Sequence, residues 1–138
     1  MRELDIGERE AIVLDMEASI EHLSRGTIRH AQTLLIVVEP YYRALETAGR
    51  IAALAPALGI PEVLAVGNKV RAPGDEGAIS EYCRAHGIEL ALSIPFDEQV
   101  GEADRRGVAL LDFAPGSPVV GRIDALAERL SGLRTQRA

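Results

Sequence analysis

Hydrophobic residues gather into four short runs, at positions 11–14, 34–38, 63–66 and 90–94, each followed by a polar residue, a glycine or a proline. Uninterrupted apolar runs of this length, the first three rich in β-branched residues, predict strands buried on both faces. Between the runs the apolar spacing changes to steps of three and four. Positions 43–58 carry Leu45, Ile51, Leu54, Ala55 and Leu58 at that spacing, and Gly59 followed by Pro61 ends the predicted helix. Positions 75–86 predict another, opened by the turn Ala72-Pro73-Gly74 and closed by Gly87. A last helix is predicted over 118–130, with Val119, Ile123, Leu126, Ala127 and Leu130 on one face. Positions 19–31, more mixed in polarity, are expected as the first crossover. Strand alternating with helix implies parallel strands joined by crossovers. The expected fold is therefore α/β, a parallel sheet of about four strands with flanking helices. It forms a single domain over residues 1–132, with a frayed tail at 133–138.

Composition narrows the class. The 138 residues are 47% hydrophobic and 26% charged with only 4% aromatic, so Val, Ile, Leu and Ala must build the core of one globular domain. Fifteen Lys and Arg against twenty-one Asp and Glu give a net charge of −6, which argues against nucleic acid as a partner. The single cysteine, Cys83, can close no intramolecular disulfide and fits a reducing cytoplasm. No apolar run approaches the ~18 residues of a membrane span, and the acidic start Met1-Arg2-Glu3-Leu4-Asp5 is unlike a signal peptide. A cytoplasmic protein without a membrane partner is expected.

Ligands of open parallel sheets bind beyond the carboxyl ends of the strands. Those ends carry Asp15, Glu39-Pro40, Gly67-Asn68-Lys69 and Pro95-Phe96-Asp97. A carboxylate closing an apolar strand, as Asp15 is expected to do, is costly unless it meets a cation or a donor. It suits a carboxylate on Mg²⁺ or a cap on the following segment. Asn68 offers a donor and an acceptor, the pair that matches the N6/N7 edge of adenine, or else it is a polar turn after a strand. Pro95 and Phe96 could wall the same base. Lys69 is the only lysine beside fourteen arginines. His22, His30 and Cys83 are too few and too scattered for a soft-metal site, so no metal ligands are expected. No Gly-x-Ser-x-Gly elbow is present, and Glu102, Asp104, Arg105 and Arg106 read as a solvated helix end. The cradle Gly-x-x-x-x-Gly-Lys-Ser/Thr is absent as well, because the one lysine is followed by Val70 and Arg71.

The stretch from Val13 through Asp15, Ser19 and Ile20-Glu21-His22-Leu23 to Arg25-Gly26-Thr27 resembles the switch II segment of the CooC-type nickel-insertion ATPases. These serve carbon monoxide dehydrogenase maturation and belong to the MinD/ParA-like branch of P-loop ATPases. The resemblance continues through Leu35-Ile36-Val37-Val38-Glu39-Pro40, Leu45-Glu46-Thr47-Ala48, Gly67-Asn68-Lys69-Val70-Arg71 and Ile94-Pro95-Phe96-Asp97. It implies that Asp15 is the switch II carboxylate near Mg²⁺ and the attacking water, that Asn68 reads adenine, and that Pro95 and Phe96 border the base. ATP and Mg²⁺ are thus the implied cofactors. At Ser19 the family usually has glycine. Its P-loop half and the nickel-binding Cys-x-Cys pair have no counterpart in this sequence, which resembles the C-terminal half of such an ATPase. The implied partners are the missing P-loop half or a homodimer partner, together with a nickel metalloenzyme. In the family the P-loop strand lies between the strand ending at Asp15 and the one ending at Glu39. The chain is therefore expected either to pair positions 12–14 directly beside 35–37 or to self-associate through the open edge. Two functional readings follow: an ATPase module lacking its phosphate cradle and inactive alone, or an interaction module that kept the fold without nucleotide chemistry.

Overall fold

The computed structural model describes residues 11–16 and 31–137. Three parallel strands, β1 (Thr33–Val38), β2 (Glu62–Val70) and β3 (Glu89–Pro95), lie side by side in that order. Helix α1 (Tyr42–Leu54) joins β1 to β2, and α2 (Pro73–Ala85) joins β2 to β3. The chain continues through α3 (Glu98–Arg105), the short α4 (Leu110–Phe113) and α5 (Pro118–Arg137). Helix α2 ends where the sequence predicts, at Gly87 (φ 66°), whereas α1, expected to run to Leu58, ends at Leu54 and the chain turns through 55–58 to Gly59 (φ 71°). After each glycine, the next amide reaches back to the helix end, Ile60 to the Ala55 carbonyl and Ile88 to that of Cys83. Glycine adopts this left-handed turn without the steric cost of a Cβ.

Alternation along the strands divides the core. Ile36 and Val38 of β1 and Ala65 of β2 face Leu45, Ala48 and Ile51 of α1 and Ile79 and Cys83 of α2, all buried in one cluster. Leu64 and Val66, each 1% exposed, point to the opposite face, on which side α5 packs against β3. Each such side chain contributes about 1.5–3 kcal/mol by leaving water, so the central strand is the most strongly held. A register shift between Ala65 and Val66 makes Ala91 an extra residue in β3, and Arg129 of α5 donates to its freed carbonyl at 2.9 Å.

Residues 11–14 correct the expected strand count. They form no strand, and Val13 is 88% exposed. An apolar run becomes a strand only where a neighbour completes its backbone hydrogen bonds, and β1 pairs with β2 alone among the described residues. Among the described residues the sheet therefore has three strands rather than four, and the pairing of 12–14 beside 35–37 is not formed. The crossover expected at 19–31 falls almost entirely outside the described residues.

Candidate functional site

Strand β2 runs past the apolar run that announces it. Asn68 and Lys69 are not a turn beyond the strand but part of it, because β2 continues to Val70. Between Gly67 and Val70 the strand takes three steps where β3 takes two, from Ser93 to Pro95, so Asn68 and Lys69 together oppose Ile94. Such a bulge re-aims side chains at a sheet end. Lys69 has φ of 54°, the only positive value at a non-glycine residue among those described. Its backbone N–H donates to Asn68 Oδ1 at 3.0 Å, and its Nζ lies 2.6 Å from Glu39 Oε1. The hydrogen bond and charge of Glu39 raise the Lys69 pKa above its ordinary value.

The loop after β3 is tied to the same edge. The Phe96 amide donates to the Val70 carbonyl at 2.9 Å, which sets Pro95 and Phe96 beside the bulge. The Arg71 guanidinium stacks over the Phe96 ring, 3.5 Å from its centroid. Asp97 then caps α3, accepting from the Gln99 amide at 2.9 Å, while its second oxygen accepts from the Ser117 hydroxyl at 2.6 Å. Ser117 is 4% exposed, and its oxygen accepts from the Val119 amide at 3.2 Å in the first turn of α5. One carboxylate thus joins the beginnings of two helices. Ser93 Oγ, buried against Gly67, has no hydrogen-bond partner among the described residues.

The Ser117 hydroxyl first, and then the Gln99 amide, hold the Asp97 carboxyl below its ordinary pKa. Because the folded value lies below the unfolded one, the carboxylate's stabilising contribution is complete above about pH 4 and is lost as pH falls through the lowered value. Carboxyl-carbon NMR should therefore show Asp97 titrating below the usual aspartate range, and Ser117→Ala should move it back up. Identical titrations in the two proteins would remove Ser117 as the cause.

The remaining candidates stand apart from this group. Asp15 is exposed in a segment that forms no strand, so it does not close one, and no hydrogen bond or ion pair joins it to Asn68, Pro95 or Phe96 among the described residues. His22 and His30 lie outside the described residues. Cys83 is buried on α2, and burial pushes its thiol pKa up, which makes it a core side chain. Glu102 pairs with Arg105 and Arg106 at 2.6 and 2.8 Å at the end of α3, the solvated helix end that the charge run predicts. Sequence reasoning assigned no role to Arg71, Glu39 or Ser117. The unique lysine was the one signal pointing toward Glu39, since a single ammonium at a sheet end calls for a carboxylate nearby.

The group at the ends of β2 and β3 offers a hydrogen-bond donor and acceptor beside a flat face. It combines a carboxamide, a flat arginine–phenylalanine stack and a proline, with Asn68 and Pro95 only partly buried. Its one lysine is engaged by Glu39, and no glycine-rich lysine cradle occurs in the sequence.

Solved structures with the same architecture include the MinD cell division protein of Aquifex aeolicus, with a TM-score of 0.63 and 22% identity, covering 76% of this chain and 46% of that one. A ParA family ATPase of Chlorobium tepidum matches with a TM-score of 0.57 and 24% identity, over 67% of this chain and 38% of that one. The fold is thus MinD/ParA-like. No family model matches. Among curated proteins, the carbon monoxide dehydrogenase accessory protein CooC of Rhodospirillum rubrum is 41% identical over 115 residues, 83% of this chain and 43% of the relative. An uncharacterized ATP-binding protein of Methanocaldococcus jannaschii is 31% identical over 88% of this chain and 48% of its own length. Over most of its length the chain is thus similar to part of a CooC-type, MinD/ParA-like protein. It spans less than half the length of these curated relatives.

Proposed function

We propose that this chain is the base-binding half of an ATP-binding module of the nickel-insertion type, acting in the cytoplasm in carbon monoxide dehydrogenase maturation. Asn68 reads the adenine edge, and Pro95 and Phe96 border the base. The observation that carries this reading is the juxtaposition of the β2 bulge with the Pro95–Phe96 loop, held by the Phe96-to-Val70 hydrogen bond. Similarity to two ATP-binding proteins and to a carbon monoxide dehydrogenase accessory protein supports it. The phosphates and Mg²⁺ fall to a P-loop half or a homodimer partner, with Asp15 supplying the carboxylate near the metal and the attacking water once that half is in place.

On its own the chain should bind nucleotide weakly and through the base. Each hydrogen bond from Asn68 nets about 0.5–1.5 kcal/mol, far from the roughly 8 kcal/mol of micromolar affinity. Titration of ATP into the nitrogen-15-labelled chain should move the amides of residues 67–71 and 94–97 only at millimolar nucleotide, and Asn68→Ala should abolish those shifts. Micromolar binding that survives Asn68→Ala would overturn the adenine assignment.

A further inference from the structure

Four features of β2 converge on one side chain. The bulge places Asn68 and Lys69 opposite a single residue of β3, Lys69 takes a left-handed backbone, its amide donates to Asn68 Oδ1, and its ammonium pairs with Glu39. A left-handed φ is unfavourable for any residue with a Cβ, so something must hold Lys69 there. Val38 pairs with Gly67 in the β1–β2 register, which sets Glu39 level with Asn68 just where the ladder ends. From there Glu39 grips Lys69 across the two strands.

We propose that Glu39 and Lys69 are a positioning pair that holds the left-handed kink and thereby fixes the Asn68 carboxamide for a purine edge. The inference rests on the adenine reading of Asn68. A carboxamide can sit in two orientations related by exchange of its oxygen and nitrogen. The Lys69 N–H permits only one of them, because it needs an acceptor and Nδ2 is a donor. Oδ1 then keeps one lone pair for an exocyclic amine, and both Nδ2 hydrogens are free of other bonds among the described residues. That is the pattern required by the N6/N7 edge of adenine, and it is wrong for the N7/O6 edge of guanine, which presents two acceptors. The pair itself is exposed, Lys69 at 53% and Glu39 at 32%, and exposed pairs add little to global stability. Its effect is on the geometry of Asn68 rather than on folding.

The experiment uses the full chain with Lys69→Ala, Lys69→Gly, Glu39→Gln and the double variant Glu39→Gln/Lys69→Gly. Two quantities are read by NMR: the order of the Asn68 side-chain amide without ligand, and the dissociation constants for ATP and for GTP. Glycine adopts the left-handed turn unaided, so Lys69→Gly should keep the amide ordered and hold ATP affinity within about twofold of the starting protein. Lys69→Ala and Glu39→Gln should release the amide and weaken ATP by about three- to tenfold, the worth of one hydrogen bond, and should narrow the preference over GTP. Glu39→Gln should add nothing in the Lys69→Gly background. Thermal midpoints should stay together throughout. The proposal is overturned if Lys69→Ala and Glu39→Gln leave the amide as ordered as before, or if Lys69→Gly behaves like Lys69→Ala, which would mean that the ammonium touches nucleotide directly. If Asn68→Ala leaves ATP binding unchanged, the adenine reading falls, whereas the ligand-free amide still decides the pair.

Discussion

Purified alone, the 138-residue chain should hydrolyse ATP no faster than the background rate. Phosphoryl transfer is catalysed by positioning the phosphates and neutralising charge that develops on them. The residues for both tasks are missing from this sequence, whose single lysine is committed to Glu39 at the base end of the sheet. Accelerations of about a millionfold or more are ordinary for enzymes, so the expected deficit is close to complete. Phosphate release with Mg²⁺ present should be the same for the starting protein, Asp15→Asn and a no-protein control. Steady turnover that disappears in Asp15→Asn would show that the chain builds a phosphate site by other means. The result also separates the two functional readings when a P-loop half is supplied. Turnover that appears only in the mixture, and depends on Asp15, supports the ATPase module, whereas continued silence with intact association supports the interaction module.

What the sequence could disclose depended on whether the deciding neighbour was local. The strands at 34–38 and 63–66 were legible because continuous apolar runs carrying Val and Ile favour a buried ladder. Gly87 marked a helix end, and Gly59 the close of the turns that follow α1, because the left-handed turn is a property of the residue itself. Positions 11–14 carry the same apolar signature, yet they stay exposed. An apolar run records a demand for burial, and the partner that would meet the demand is not encoded beside it. The candidate site divides in the same way. Asn68, Pro95 and Phe96 could be picked out by side-chain chemistry and by their place after apolar runs. The bulge could not, since the extra residue becomes visible only when β2 is set against β3. The ion pair of Glu39 with Lys69 and the bond of Asp97 with Ser117 likewise join residues far apart in the chain. No spacing rule reaches that far.

The free side of β1 should make the isolated chain associate with itself. Among the described residues β1 has β2 as its only ladder neighbour, and its other edge opens on a groove of about 290 Å³ lined by Ile36, Val37, Ala44, Thr47 and Ile51. Val37 is 61% exposed between the buried Ile36 and Val38. A row of unpaired backbone groups beside apolar side chains is a template for another strand. A second copy of the chain can supply that strand. Light scattering after size exclusion should therefore show a dimer or larger species that grows with concentration. Val37→Lys sets a charge on the edge strand, the device by which natural sheets block such pairing, and it should return the chain to a monomer. Amide exchange sharpens the test, because the outward-facing N–H groups of Thr33–Val38 gain hydrogen-bond partners only in the associated form. They should exchange slowly in the starting protein and quickly in Val37→Lys. A monomer at every concentration, with the same exchange in both proteins, would mean that the edge is closed by other residues of the same chain.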